Sequence, residues 1–474
     1  MILKTITIRN FRSIDELTID IHELEDKSFT YGLIGVNEAG KSSILRALAI
    51  KDNFEVIKPT IKDFRNPEVP IEVNYIYTLD KSEIKELKEE IKEKVSEDKL
   101  ISKLKLTDVE LKVSVSKEIP NRPSIDLFFY NETLDDSVLL TLVNEELKKT
   151  FQKNSFKSIF WKAEDKFLIS KPIEIQTFSN NLNTSIPLTN CFKLAGIQNI
   201  SKQLNLLNDS TEREYLQDIL GEKVTEHINK VWTGHPIKIT FNISDNHINF
   251  HVKDLKAIGK AKTATQRSDG FRQFISFLLT ISVQYLNNEL SDTILLLDEP
   301  ETHLHPKAQE DLLKELIKIT KASKNNIVFF ATHSNYMIDK ELLNRNIKVE
   351  KPEDSTVINN FTDKTSTYAS VNYDVFNIAS TDYHNELYSK VMEYSESKDV
   401  PSLDKVIFKL NDYYKIQKEY IQSTNKKYNC TLCTYIRHQI HHPENEFNKK
   451  FTAHELEKSI KVLKMILQKL QNKK

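Results

Sequence analysis

The sequence predicts an α/β chain: a mixed sheet with helices on both faces, interrupted by an inserted helical arm and lid region and followed by a helical C-terminal domain. Three observations predict it. The apolar runs Thr293-Ile-Leu-Leu-Leu-Asp298 and Ile327-Val-Phe-Phe-Ala331 flank a helical pattern over 306–323, the arrangement of parallel strands buried on both faces. A strand-like run over 28–34 passes through a glycine-bearing loop into helical sequence from Ser42 to Ala49. From about residue 375 the pattern turns helical and polar, with no further strong strand signal.

In chain order, residues 2–8 alternate like a strand and 28–34 form the next one. Residues 82–104 carry Ile and Leu at helical spacing amid Lys and Glu, as in a solvated arm or short coiled coil held by one apolar stripe. Alternation over 109–130 and 236–253 predicts strands, with mixed and mostly helical sequence between them. The expected organisation is 1–60 and 255–345 as two halves of one domain, 61–254 as an insertion, and 346–474 as the C-terminal domain.

Composition narrows the classes. Lys plus Arg number 67 against 68 Asp plus Glu, so contact with nucleic acid would need a local basic patch rather than bulk charge. Three cysteines make no disulfide framework and fit a reducing cytoplasm. No run approaches the roughly 18 apolar residues of a membrane helix, so the expectation is a soluble chain without membrane contact.

Only 8 glycines occur, and Gly32, Gly35 and Gly40 fall close together. Gly35-Val-Asn37-Glu38-Ala39-Gly40-Lys41-Ser42 fits G-x-x-x-x-G-K-[ST] without mismatch, followed by Ser43. Such a loop wraps its amides round a phosphate at a helix N-terminus. Lys41 then contacts the β/γ-phosphates of ATP, and the Ser42 hydroxyl joins the Mg²⁺ shell. At the end of the apolar strand stand Asp298, placed to hold the metal, and Glu299, placed to polarise the attacking water. One strand later His333, in Thr332-His333-Ser334, is placed to sense the γ-phosphate.

Together with Ile8-Arg-Asn10-Phe11-Arg12-Ser13 and the string from Asp298-Glu299-Pro300-Glu301 to His303-Leu-His305-Pro306, these motifs resemble the ABC ATPase head of the OLD, RecF and SMC group, of the AAA_15 or AAA_21 kind. The resemblance covers roughly 1–60 and 255–340. It implies Walker B at Asp298, a catalytic carboxylate at Glu299, a switch histidine at His333 and a nucleotide contact from Arg12. It also implies an ABC signature at Arg267-Ser268-Asp269-Gly270-Phe271, where Ser268 and Gly270 match and the other three positions depart. A signature acting in trans implies a homo-oligomer, at least a dimer. No Q-loop glutamine is assigned.

Past residue 345 the sequence shows no apolar strand ending in glutamate and no later Asp-x-Asp, unlike the Toprim nuclease domain that often follows such heads. The chain is in that respect similar to stand-alone ATPases of the bacterial antiphage systems Septu and PARIS. That likeness implies a separate nuclease or toxin effector as partner. Arg437-His438-Gln-Ile-His441-His442 also matches the R-φ-x-x-x-H motif of HEPN ribonucleases, which implies an ATP-gated ribonuclease using Arg437, His438 and His442. A histidine-rich helix end packed on a neighbour accounts for the same residues. Residues 421–474 hold 11 Lys plus Arg against 4 Glu, compatible with a polyanion. Cys430-x-x-Cys433 with the nearby histidines admits a zinc set or plain core packing. A RecF-like DNA-repair ATPase is the remaining alternative.

Overall fold

The computed structural model describes residues 1–93, 108–118, 123–129, 141, 143–146, 148–149, 156–162, 164–169, 171–231, 236–244, 246–255, 262–263, 269–285, 292–322, 325–361, 367–411 and 416–472. Two compact units divide at residues 362 and 363.

In the first unit two sheets enclose the main apolar core. An antiparallel sheet runs β2 (Ile14–Asp20), β1 (Ile2–Phe11), β4 (Ile71–Thr78), β5 (Asp108–Val115), β6 (Ser124–Phe129). Its strands alternate, sending Ile6, Ile8, Val73, Tyr75, Leu111 and Val113 inward. Its outer face carries cross-strand pairs such as Thr7 with Thr18 and Arg9 with Glu16. The second sheet runs β15 (Val357–Asn360), β14 (Asn346–Glu350), β3 (Thr30–Ile34), β13 (Ile327–Thr332), β12 (Thr293–Asp298), β7 (Lys157–Lys162). All pairings are parallel except β14 with β15. Every residue of β3, β12 and β13 is buried, as expected of strands covered on both faces.

A second core within this unit belongs to a lobe between β7 and β12. Helices Ile186–Leu194 and Ser210–Val231 pack there against the hairpin β9 (Ile237–Ser244) and β10 (His247–Asp254). Two short strands, β8 (Ile173–Glu174) and β11 (Lys262–Thr263), flank β10. Helix Asp269–Tyr285 serves both cores: Ile275, Leu278 and Leu279 join the lobe, while Phe277 meets Trp161 of β7 edge to face at 5.6 Å.

Several expectations change. Strands β4, β5 and β6, read from the sequence as insertion, complete the sheet that β1 begins, and β7 is an edge strand of the parallel sheet. Residues 346–360, read as part of a C-terminal domain, are β14 and β15 of that same sheet; β14 ends in Glu350, but only Ile347 and Val349 of its five residues are apolar. Helix Lys81–Lys92, capped by Asp80, packs Leu87 and Ile91 into the main core rather than standing free as an arm; residues 94–104 of the expected arm lie outside the described residues.

The second unit packs helices Tyr368–Phe376, Thr381–Tyr394, Val400–Leu410, Leu432–His441 and Ala453–Gln471 around Leu387, Val391, Leu403, Ile436, Ile460 and Leu463. It also contains a hairpin, β16 (Gln417–Ile421) with β17 (Lys427–Thr431), where helix alone was expected. Among the described residues, no helix is long and apolar enough to cross a membrane.

Candidate functional site: a phosphate-binding cleft

The loop after β3 owes its shape to its glycines and to the strands behind it. Gly40 takes φ 106°, and a Cβ there would stand 2.2 Å from Thr356 Oγ1. A Cβ on Gly35 would stand 2.3 Å from the Val349 carbonyl oxygen. The backbone of β14 and the turn into β15 therefore press on both glycines, and no larger residue fits. Thr356 Oγ1 donates to the Ala39 carbonyl at 3.1 Å and lies 2.7 Å from Ser13 Oγ, tying the loop to the turn after β1.

A cleft of about 690 Å³ opens beside this loop, lined by Asn37, Glu38, Ala39, Gly40, Lys41, Ser42 and Ser43 on one side. Glu299, Glu301, Gln309 and His333 face them. Parallel pairing of β3, β13 and β12 brings these groups together, because all three strands end at the same edge. Ser42 Oγ donates to Asp298 Oδ1 at 2.8 Å across 256 residues of sequence. Asp298 is only 1 % exposed, and its Oδ2 accepts no hydrogen bond among the described residues. Burial raises its pKa. A serine hydroxyl and a buried, under-satisfied carboxylate are the oxygen donors a Mg²⁺ ion takes alongside phosphate and water, so the residues fit that ion.

Lys41 folds back on its own loop, donating to the carbonyls of Gly35 and Val36 at 2.8 and 2.9 Å. Burial lowers its pKa to about 8. Its ammonium also lies 3.2 Å from His333 Nδ1, while His333 Nε2 lies 2.8 Å from Glu299 Oε1. One imidazole tautomer satisfies both contacts: Nδ1 accepts from lysine and Nε2–H donates to the carboxylate. That hydrogen bond is the main cause of the lowered Glu299 pKa.

Glu299 itself takes φ 54°, a left-handed conformation uncommon outside glycine. Its carbonyl accepts from Gln273 Nε2 and Thr302 Oγ1, both at 3.0 Å, which fixes the turn that aims its side chain at His333. Behind His333, Glu301 is 4 % exposed and accepts from the Thr332 hydroxyl and, at 3.4 Å, from the His333 amide. Burial pushes its pKa up to about 7.

Arg12 stands elsewhere. It lines a neighbouring cavity of about 590 Å³ with Ser13, Lys62, Arg65 and Lys351, and its Nε donates to Asp63 Oδ1 at 2.7 Å. Ser268 lies outside the described residues, and Gly270 is the second residue of helix Asp269–Tyr285. Sequence reasoning missed Gln273, Thr356 and Lys162, whose Nζ lies 3.6 Å from Asp298 Oδ2. Only Lys162 left a signal, as the last residue of the short apolar run Ile159-Phe-Trp-Lys162.

In the second unit the rings of His438 and His442 of the R-φ-x-x-x-H match lie 6.5 Å apart, and each of its three residues has further contacts of its own. Arg437 lies over the Tyr388 ring, 6.0 Å from its centroid. His438 is turned into the hairpin, its Nε2 3.0 Å from Tyr428 Oη, and burial pushes its pKa down to about 4. His442 follows the helix end, exposed, with Nδ1 3.4 Å from Glu444 Oε1. For the two cysteines the structure shows core packing rather than a zinc set. Cys430 and Cys433 are buried with Sγ atoms 3.8 Å from the carbonyls of Lys418 and Ser459, and burial raises both thiols to about 12. No group of three or more metal-ligating side chains occurs among the described residues.

Known proteins were compared with this chain. The AAA ATPase domain family (AAA_15) matches residues 1–338. The Old nuclease of Escherichia phage P2 is 23% identical over 394 residues, covering 75% of this chain and 60% of the relative. An uncharacterized protein of Methanocaldococcus jannaschii is 29% identical over 125 residues, 25% of this chain and 31% of the relative. The chain thus spans less than two thirds of either relative's length. Among solved structures, an Smc head bound to the C-winged helix domain of ScpA gives a TM-score of 0.42 at 14% identity, covering 76% of this chain and 98% of that one. The SMC head domain from Thermotoga maritima gives 0.37 at 11% identity, covering 77% and 100%. With the family's match spanning well over half its length, this chain belongs to the AAA ATPase domain family.

Proposed function

We propose that the cleft binds ATP with Mg²⁺ and hydrolyses the terminal phosphate, and that ATP draws two or more copies of the chain together. The contact that carries this reading is Ser42 Oγ to Asp298 Oδ1 at 2.8 Å, with the Glu299–His333 pair beside it. The loop amides from Asn37 to Ser42 cradle the phosphates, and Lys41 exchanges its two carbonyl contacts for phosphate oxygens. Ser42 and Asp298 hold the metal, which when bound supplies positive charge to the β- and γ-phosphates. Glu299, kept ionised by His333, orients and accepts the proton of the attacking water. His333 links that carboxylate to Lys41 and so to the γ-phosphate, giving a path by which loss of phosphate is felt at Glu299.

Assembly follows from the resemblance of residues 267–271 to an ABC signature, which completes a site on a second copy. In the same proposal, the ATP cycle serves a cytoplasmic bacterial antiphage system in which this chain controls a separate nuclease or toxin. The likeness to a phage P2 nuclease and the Asp298–Pro306 string support that role.

The test pairs phosphate release with assembly mass. Glu299→Gln should release phosphate about 10²–10⁴-fold more slowly than the parent and shift to a larger assembly in ATP. Undiminished turnover contradicts the role given to Glu299. A mass unaffected by ATP in both proteins contradicts nucleotide-driven assembly.

A further inference from the structure

Lys162 occupies a place that sheet register dictates. Parallel pairing of β7 with β12 sets Lys157 opposite Thr293 and therefore Lys162 opposite Asp298. The two oxygens of Asp298 are divided: Oδ1 takes the Ser42 hydroxyl, and Oδ2, which accepts no hydrogen bond among the described residues, lies 3.6 Å from the Lys162 ammonium. That ammonium is also 3.2 Å from Glu164 Oε1, and the side chain is 34% exposed. Lys162 is thus a cation one carboxylate away from the serine of the phosphate loop, each of the two meeting its own oxygen of Asp298.

We propose that Lys162 is a second cation of the nucleotide site, a positioning residue that steadies Asp298 through Oδ2 and lends its charge to the triphosphate when Mg²⁺ is scarce. This rests on the reading of the cleft as an ATP site. The reasoning is electrostatic. An ammonium beside Asp298 opposes a divalent cation arriving at the same carboxylate, and it attracts a metal-free triphosphate to the same spot. Both effects make nucleotide binding less dependent on the metal. At an effective dielectric constant of ~20, a unit charge several ångströms from a phosphate is worth about a hundredfold in affinity, and partial exposure reduces this to about tenfold.

The experiment is titration of a fluorescent ATP analogue, once with Mg²⁺ and once with EDTA. The proteins are the parent, Lys162→Met, Lys162→Arg and Lys41→Ala. Lys162→Met should weaken binding about tenfold in EDTA and about twofold or less with Mg²⁺, while Lys162→Arg stays close to the parent in both. Equal weakening in the two media, or none in either, overturns the proposal. So does a Lys162→Arg protein that behaves like Lys162→Met, which would assign the effect to packing rather than charge. Lys41→Ala should lose binding in both media. Parent-like binding by Lys41→Ala would remove the nucleotide-site reading and the Lys162 proposal with it, whereas loss there with no metal-dependent change at Lys162 overturns the Lys162 proposal alone.

Discussion

Glu301→Gln probes the buried carboxyl behind His333. Burial raises the Glu301 carboxyl to about 7, above its ordinary value of 4.5. A raised acid binds its proton more tightly in the folded than in the unfolded chain. Its protonated form is therefore accommodated at acid pH, and stability falls as pH rises from about 4.5 through 7. The difference of about 2.5 units corresponds to about 3 kcal/mol lost at pH 8. Glutamine stays neutral and keeps the acceptor for Thr332 and the His333 amide. Glu301 Oε2 has no hydrogen-bond partner among the described residues, so the glutamine amide placed there goes unsatisfied, at a cost of about 1 kcal/mol. The balance leaves the variant more stable by about 2 kcal/mol at pH 8 and equal to the parent near pH 5. Thermal unfolding at the two pH values reads this as a gain of about 2–3 °C at pH 8 that vanishes at pH 5. A gain independent of pH, or a loss at pH 8, would mean that Glu301 is folded as a carboxylate and would refute the reasoning.

Two other perturbations test the frame of the site. Gly40→Ala puts a Cβ 2.2 Å from Thr356 Oγ1 on a backbone at φ 106°; it should weaken ATP binding at least tenfold, about 1.4 kcal/mol or more, and unchanged affinity in a titration would contradict the cradle. Arg345, fully buried, donates to Asp26 and Asp339 at 2.7 and 2.8 Å and to Ser28 Oγ at 2.7 Å, anchoring the start of β14 to β3. Arg345→Met takes the guanidinium from both carboxylates, leaving Asp26 with Ser28 and Lys321 and Asp339 with two backbone amides, and should cost about 3 kcal/mol at neutral pH. Although burial acts against it, Asp26 is held at about 2 by hydrogen bonds from Ser28, Lys321 and Arg345. The parent's advantage should therefore shrink as pH falls below about 4, the unfolded value, toward 2, and a thermal-shift series that stays flat would contradict it.

The chemistry of the cleft was legible because it lies in local strings. The octet from Gly35 to Ser42 needs its spacing to wrap a phosphate, and the apolar runs before Asp298 and His333 can only be buried strands. What surrounds these strings depended on pairing at long range. Strands β4, β5 and β6 alternate in the same way whether they join β1 or form a lid, and nothing local tells them apart. Residues 349–356 hold both phosphate-loop glycines, yet Val349 acts through its carbonyl and Thr356 through one hydroxyl, neither of which leaves a pattern. The turn at Glu299 depends on Gln273, a residue of a helix that otherwise reads as core. In the second unit the Tyr428–His438 contact across the hairpin decides where His438 points, and R-φ-x-x-x-H says nothing of it.

The most direct measurement is a crystal structure of the Glu299→Gln protein grown with ATP and Mg²⁺. The triphosphate should lie against the amides of 37–42, with Lys41 released from the Gly35 and Val36 carbonyls and the metal held by Ser42 Oγ and Asp298. Nucleotide seated elsewhere, or a metal that touches neither of these two side chains, would contradict the proposed site.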